Sequence, residues 1–255
     1  MTILEAAALG LLQGLTEFLP ISSSGHLVIA QHFLGIDDGG LFFEVLVHCA
    51  TLAAVLAVYW HDIVELIKKP FQKYTYLLIA GTIPTGIIGL AFKDSFEAMF
   101  TSINIVGYTL LITGFILLLA EFISRTILNS TKFTYWQSVL IGLGQGLAIT
   151  PGISRSGTTI AVALLVGLER EEAARFSFLL SIPAILGASI VEAKDIVFAQ
   201  HISSSLALPY AVGALAALVS GYAAIKLLLG VLKRGKLYYF SIYCWLLGAA
   251  VIFLA

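Results

Sequence analysis

One polar phrase occurs twice in a chain that is otherwise strongly apolar. Residues 13–27 read QGLTEFLPISSSGHL and residues 145–159 read QGLAITPGISRSGTT. Each opens on Gln-Gly-Leu and carries Ile-Ser-x-Ser-Gly, at 21–25 and at 153–157. Of 255 residues, 59% are apolar and only 11% charged, with mean hydropathy +0.99. A soluble domain is nearer about a quarter charged. The chain therefore reads as an integral membrane protein, and a polar cluster at membrane depth is expensive unless it is used. The repeated phrase thus constrains fold and function together.

A membrane span needs about 20 apolar residues. Six runs qualify, near 41–60, 75–92, 103–123, 175–193, 206–229 and 237–255. Both phrases lie outside them. Residues 136–168 would make a helix about 50 Å long, too long for one simple span, and Pro151 and Gly152 break it. The piece 136–149 reaches only about 21 Å, enough to enter the membrane but not to cross it. The stretch 3–19, broken at Pro20 and resumed at 25–34, reads the same way. The spacing predicts two re-entrant helical hairpins. Irregular backbone at that depth is tolerated only inside protein or beside a water-filled cavity. Cys49 and Cys244 lie in apolar runs and read as buried small side chains rather than a disulfide. The start of the chain has no basic region, carries Glu5, and does not read as a cleavable leader.

Net charge, −1, says little; placement says more. Lys68, Lys69, Lys73, Arg125, Lys132, Arg170, Arg175, Lys233, Arg234 and Lys236 fall on one side of the predicted spans, against Lys93 and Lys194 on the other. Basic residues mark the cytoplasmic side, which puts both termini outside. Three spans, an odd number, separate the two phrases. One hairpin then enters from outside and the other from the cytoplasm, an inverted-topology repeat of about 1–123 and 136–255 whose broken helices meet near the midplane. Gly35 and Gly167 keep the same interval. Ser23 aligns with Arg155, and His26 with Thr158. The predicted fold is all-α and polytopic, with about six transmembrane helices and two re-entrant hairpins in one membrane domain.

The first tip offers Ser22, Ser23, Ser24, Gly25 and His26; the second offers Gly152, Ser154, Arg155, Ser156, Gly157, Thr158 and Thr159. Each leads into a helix N-terminus, where free N–H groups favour an anion. Arg155 adds a planar fork suited to phosphate. Glu17, one helical turn after Gln13, brings a carboxylate within ten residues of His26. A carboxylate, an imidazole and hydroxyls beside an anion cage point to hydrolysis. Glu17 orients His26, acts as base, or binds a divalent cation. Bland readings stand beside these: Arg155 as a cap on helix carbonyls, Glu17 as a buried hydrogen-bonding group, His26 as a helix-start residue, the serines as ordinary caps. Glu44 and His48 read as structural, His32, His61 and His201 as interfacial, the aromatic side chains as lipid-facing or packing residues, and 169–177 as an acidic first helical turn.

These residues resemble the undecaprenyl-diphosphate phosphatase family, the bacitracin-resistance type, over essentially the whole chain. The family's first motif, Glu or Gln one turn before Glu, matches Gln13 and Glu17, and its Ser-Ser-Ser-Gly-His matches 22–26. Having Gln at the first position leaves Glu17 as the one carboxylate. Pro-Gly-x-Ser-Arg-Ser-x-x-Thr matches Pro151, Gly152, Ser154, Arg155, Ser156 and Thr159 in full. The resemblance implies hydrolysis of a C55 polyprenyl diphosphate to the monophosphate, which recycles the lipid carrier for cell-wall glycan synthesis. It implies a divalent cation, Mg²⁺ or else Ca²⁺, held through Glu17, and an active site opening to the outer face of the plasma membrane. The expected partners are the lipid substrate, membrane lipid and a second copy in a homodimer, with no nucleic acid. In this scheme Arg155, Ser154, Ser156 and Thr159 hold phosphate oxygens, Gln13, Ser22, Ser24, Gly25, Gly152 and Gly157 complete the binding site, Ser23 is the nucleophile with His26 as its alternative, and Glu17 activates. A polyprenyl-phosphate flippase is the rival, since it would need the same cage without an acid–base pair.

Overall fold

A computed structural model describes residues 1–35, 40–126, 132–199 and 206–255, without the side chains of Leu34, Leu41 and 193–199. His201 lies outside the described residues, as does the side chain of Lys194. The described residues form twelve helices: α1 (Ile3–Phe18), α2 (Ser23–Leu34), α3 (Gly40–Val58), α4 (Trp60–Lys68), α5 (Lys73–Ala91), α6 (Lys93–Phe100), α7 (Ile103–Ile123), α8 (Tyr135–Leu147), α9 (Arg155–Leu165), α10 (Arg170–Ala199), α11 (Ala207–Lys233) and α12 (Tyr238–Leu254).

All six predicted runs are helical. Four helices, α5, α7, α10 and α11, are long and apolar enough to cross a membrane on their own. Helix α3 meets that test only together with α4, from which it is bent by 81° just past its end, and α12 has 17 residues. Helices α1, α2, α8 and α9 have 16, 12, 13 and 11 residues, each short of the roughly 30 Å of a bilayer core. Capping boxes at Thr2 and Thr134 start α1 and α8, and Gly35 and Gly167 turn the chain at positive φ after α2 and α9. Large side chains such as Ile83, Ile87, Phe115, Leu215 and Leu246 point outward, as a lipid-facing surface requires. Cys244 is buried as expected, but Cys49 is exposed: its position on α3 turns away from the core, and both thiols are free.

Helices approach closely where glycine removes the side chain. On α1, a Cβ at Gly10 would lie 2.1 Å from the carbonyl oxygen of Gly213 on α11. On α8, a Cβ at Gly142 would lie 2.0 Å from the carbonyl oxygen of Gly81 on α5. Gly142 stands 132 positions after Gly10, and Gly213 stands 132 after Gly81, the interval that also separates Ser23 from Arg155. Gly14 against Ser220 and Gly146 against Ile88 repeat the pattern one turn on. The short leg of each hairpin is thus clasped by a long helix of the other half, and α7 packs along α12.

The basic segments gather at one end of the molecule. Glu121, wholly buried, accepts from Arg125 at 2.9 Å, from both terminal nitrogens of Arg170 at 3.1 Å, and from the Leu237 N–H at 3.2 Å. Arg175 donates to Asp62 at 2.6 Å, and Lys233 pairs with Glu171 at 2.6 Å. These bonds join the ends of α7 and α11 and the starts of α4, α10 and α12. Glu171 and Glu172 occupy the first turn of α10, as the sequence predicts.

The glycine crossings can be tested with one substitution at two places. Gly142→Ala puts a methyl group into the Gly81 backbone and should lower the melting temperature in detergent by several degrees. Gly86→Ala, on α5 with nothing within 4 Å of its Cβ position, should be neutral or stabilising by about 0.5–1 kcal/mol. Equal melting temperatures for the two variants would contradict the packing.

Candidate functional site

The two tips meet. A Cβ at Gly25 would lie 3.1 Å from Gly152 Cα, and one at Gly157 would lie 3.0 Å from Pro20 Cβ. Ser156 Oγ donates to the Leu19 carbonyl across the junction at 3.2 Å. Each helix that leaves a tip is capped by its own serine: Ser22 Oγ accepts from the Gly25 N–H at 3.3 Å and Ser154 Oγ from the Gly157 N–H at 3.1 Å. The hydroxyls of Ser24 and Ser156 lie 3.2 Å and 3.3 Å from those capping oxygens. Helix geometry leaves the N–H groups of Ser23 and Ser24, and of Arg155 and Ser156, without an intrahelical acceptor.

Helix α7 braces the second tip. Gly152 has φ +86°, and a Cβ there would lie 2.0 Å from Thr109 Oγ1. Thr109 donates to the Pro151 carbonyl at 2.6 Å, and Thr113 donates to the Gly152 carbonyl at 2.9 Å while accepting from the Ser154 N–H at 3.2 Å. Among the described residues Ser22 is the one non-glycine at positive φ, 69°, so the first tip holds a conformation that L residues avoid.

Glu17 is the meeting point. Its side chain is 6% exposed, and every bonding partner comes from a different turn of chain. Oε2 accepts from Ser23 Oγ at 2.6 Å and from Gln13 Nε2 at 3.1 Å. Oε1 accepts from Arg155 Nη2 of the opposite tip. His48 Nε2 stands 3.9 Å from Oε2. Two buried polar atoms beside this cluster have no partner: Arg155 Nη1, a donor, and Gln13 Oε1, an acceptor. Buried polar groups are nearly always bonded, so these two atoms leave one donor and one acceptor that a ligand can bond. Arg155 Nη1 calls for an oxyanion. Gln13 Oε1 next to the Glu17 carboxylate is a hard oxygen pair that suits a divalent cation. Among the described residues no group of three or more His, Cys, Asp and Glu side chains is assembled, so a cation there would draw most of its shell from substrate and water.

The structure therefore brings Gln13, Glu17, Ser23 and Arg155 together, with Ser22, Ser24, Gly25, Ser154, Ser156 and Gly157 shaping the tips around them. It places three expected residues otherwise. Gly152 makes the turn under Thr109 rather than offering open backbone. Thr159 Oγ1 is 2.5 Å from Ser177 Oγ of α10 and also donates to the helix carbonyls of Arg155 and Ser156, so it ties α9 to α10. His26 has both ring nitrogens occupied: Nδ1 is 2.7 Å from the Ser22 carbonyl and Nε2 is 2.7 Å from the Tyr243 hydroxyl. A carbonyl only accepts, so Nδ1 carries the hydrogen and Nε2 accepts from Tyr243. Neither Tyr243 nor His48 stands out in the sequence as a site residue. The i,i+4 spacing of Glu44 and His48 was the only available signal for His48, and Tyr243 sits in a uniformly apolar run 217 residues from His26.

Comparison of the sequence with known proteins finds named relatives. A family model described as bacitracin resistance protein BacA matches residues 6–250. The undecaprenyl-diphosphatase of Carboxydothermus hydrogenoformans is 48% identical over 255 residues, covering 100% of this chain and 98% of its own. That of Halothermothrix orenii is 46% identical, covering 100% and 99%. That of Methanosphaera stadtmanae is 40% identical, also covering 100% and 99%.

The ion pair at the centre has a thermodynamic signature. Arg155→Met strands a buried carboxylate, and breaking a buried pair from one side costs about 3–5 kcal/mol. Adding Glu17→Gln to Arg155→Met removes the stranded charge, so the double variant should melt above the Arg155→Met single variant in the same detergent. Additive losses would show that the two groups do not interact.

Proposed function

The chain belongs to the bacitracin resistance protein BacA family, and on that premise we propose how its paired tips do the chemistry. The protein is a multi-pass membrane hydrolase that cleaves undecaprenyl diphosphate to the monophosphate and inorganic phosphate, returning the lipid carrier to cell-wall glycan synthesis. The flippase alternative has no support among the relatives and is given up.

One observation carries the mechanistic reading. Ser23 from the first tip and Arg155 from the second close on the two oxygens of one carboxylate, and Arg155 keeps a buried, unpartnered Nη1 beside them. The prenyl tail lies along the apolar spans and the diphosphate enters between the tips. Arg155 Nη1 and the free N–H groups at the starts of α2 and α9 take the terminal phosphate oxygens, where charge grows in the transition state. Glu17 Oε2 accepts the Ser23 hydroxyl proton at 2.6 Å as Oγ attacks phosphorus. The bridging P–O bond breaks, polyprenyl monophosphate leaves, and water hydrolyses the phosphoserine with Glu17 again as base. His26 enters as a brace: its Nδ1–H holds the Ser22 carbonyl in the strained turn, and Tyr243 fixes the ring. Gln13 Oε1, Glu17 and substrate oxygens would hold a divalent cation, Mg²⁺ or Ca²⁺, which screens phosphate charge when bound.

The basic end, built on Glu121 and Asp62, faces the cytoplasm of the plasma membrane, and the active site opens outward. The support for this orientation is the clustering of Arg125, Arg170, Arg175 and Lys233 at that end.

Phosphate release from undecaprenyl diphosphate in detergent tests the assignments. Glu17→Gln keeps size and acceptor oxygen but cannot take a proton at neutral pH; it and Ser23→Ala should each lose at least about a hundredfold in turnover. Arg155→Lys, which keeps charge and loses the fork, should fall comparably. Gln13→Glu should stay active and depend more steeply on Mg²⁺. Substantial turnover by Glu17→Gln would remove the carboxylate from the reaction.

The orientation has its own check. With both native cysteines replaced by serine, an impermeant thiol reagent should label Lys93→Cys in whole cells, and Lys69→Cys only after permeabilisation. The reverse pattern would invert the protein in the membrane.

A further inference from the structure

A groove at the basic end takes part in no step above. It opens between α4, α5 and α10 and holds about 370 Å³. Leu66, Ile67 and Pro70 line it from the α4 side, Leu78 from α5, and Ile182 and Pro183 from α10. All of its lining residues are Leu, Ile or Pro. A groove of that size and composition takes hydrocarbon and offers water nothing to bond. Helix α4 makes one wall. It turns 81° from α3, so where α3 runs across the membrane α4 lies nearly along its surface. It buries no residue fully, and the exposed Trp60 and Phe71 stand at its two ends.

The mouth of the groove carries the opposite chemistry. Lys68 closes α4 and Lys73 opens α5, on either side of Pro70. Asp62 is held by Arg175 and Glu65 by Lys69, which leaves Lys68 and Lys73 with no carboxylate partner among the described residues. The start of α5 has no side-chain cap, so the N–H groups of Lys73 and Tyr74 lack an intrahelical acceptor. Thr75 Oγ1, buried and without a partner, stands three residues before Leu78 and so on the same helix face, one turn nearer the helix start. Lys68 also suits the C-terminal end of α4, and basic residues gather on this side by topology. Neither reason accounts for the unbonded hydroxyl or for the uncovered apolar wall.

We propose that this groove binds an anionic phospholipid: an acyl chain lies in it, and the phosphate sits at the start of α5 against Lys68, Lys73 and Thr75. A phosphate there accepts from the free N–H groups and from the hydroxyl, and each lysine near an anionic headgroup adds attraction. The substrate's own tail is a poorer occupant. Its diphosphate goes to tips built from α1, α2, α8 and α9, no residue of which lines the groove, and a prenyl chain gives the lysines nothing to bond. A free phosphate would leave the apolar wall uncovered. A phospholipid meets both demands, and by bridging α4 to α5 and α10 it holds in place a helix that buries no residue of its own. The lipid site does not depend on the hydrolysis chemistry proposed for the tips.

The test follows the melting temperature of the full chain in neutral detergent as phosphatidylglycerol, phosphatidylcholine with the same acyl chains, or inorganic phosphate is added. Phosphatidylglycerol should raise it by several degrees, phosphatidylcholine far less, and inorganic phosphate not at all. Lys68→Gln with Lys73→Gln should weaken the apparent phosphatidylglycerol affinity at least about tenfold. Thr75→Val should weaken it as well, and Leu66→Trp, which fills the groove, should abolish the shift. Lys233→Gln with Lys236→Gln removes as much charge from the same end and should leave the shift unchanged. Lys68 and Lys73 are exposed, so their double variant should fold. If Leu66→Trp does not fold, native mass spectrometry decides, with one phosphatidylglycerol retained per wild-type chain and none by the Lys68 and Lys73 double variant. Equal shifts from the two phospholipids would make the groove ordinary lipid-facing surface and overturn the proposal. A full shift from inorganic phosphate alone would overturn it too, as would wild-type affinity in the Lys68 and Lys73 double variant or in Thr75→Val, or an equal loss in the Lys233 and Lys236 variant.

Discussion

The ion pair between Glu17 and Arg155 sets the terms for the rest of the structure. Each charge belongs to a helix too short to cross a membrane, and each would cost several kcal/mol at depth without the other. They can pair only if the two tips touch. That demands tips without bulk, which Gly25, Gly152 and Gly157 supply, and backbone held at unfavourable angles, which Thr109, Thr113 and His26 hold. The polar atoms of the tips are satisfied almost entirely by one another. Among the buried side-chain atoms without a partner, Arg155 Nη1 and Gln13 Oε1 belong to residues bonded to Glu17, and Thr158 Oγ1 lies further into α9.

Two helices too short to cross a membrane need a wall to lean on. Here each leans on the other half of the chain: α1 on α11 through Gly10 and Gly213, α8 on α5 through Gly142 and Gly81. Lipid supplies no hydrophobic drive between helices, so backbone contact through small residues does the work instead. Because both crossings use residues in the same 132-position register as the tips, packing and site are one arrangement repeated, not a scaffold with a site added. The Glu121 cluster then fixes the ends of the long helices, using buried carboxylate bonds where the apolar spans run out.

Much of this is legible in the sequence because it is local. Apolar run length gives the long helices, Pro151 and Gly152 give the break, the capping serines give the helix starts, and the shared phrase aligns Ser23 with Arg155. What stays hidden is long-range. Tyr243 reaches His26 across 217 residues, and Thr109 and Thr113 look like ordinary hydroxyls in a span until the tip lands on them. Glu121 lies at the end of an apolar run, and beyond its neighbour Arg125 its partners Arg170 and Leu237 come from distant segments of the chain. His48 illustrates the limit best. Its spacing from Glu44 suggested a local contact, and it makes one through Nδ1, but its other nitrogen faces a residue of another helix. Thr159 shows the converse. Motif position placed its hydroxyl at the phosphate, and packing against Ser177 takes it elsewhere.

The two halves share a pair of short helices and the glycine crossings but differ in charge, and the difference follows from what one junction can hold. The position matching Glu17 is Ile149, and that matching Arg155 is Ser23. Gln13 and Gln145 keep the same place in both halves, but Gln13 Nε2 donates to the Glu17 carboxylate whereas Gln145 Nε2 donates to Thr85 Oγ1 at 3.2 Å. A strictly symmetric site would bring two carboxylates and two guanidinium groups to one junction. Arg155 would then be fully satisfied by carboxylates, with no free donor for a phosphate. With one acid and one base, each half supplies what the other lacks: the first a proton acceptor and a hydroxyl, the second a cation with an unused N–H. The repeat supplies the meeting of the tips, and its departure from symmetry leaves there a free donor beside a carboxylate and a hydroxyl, the set we propose for binding and cleaving an anion.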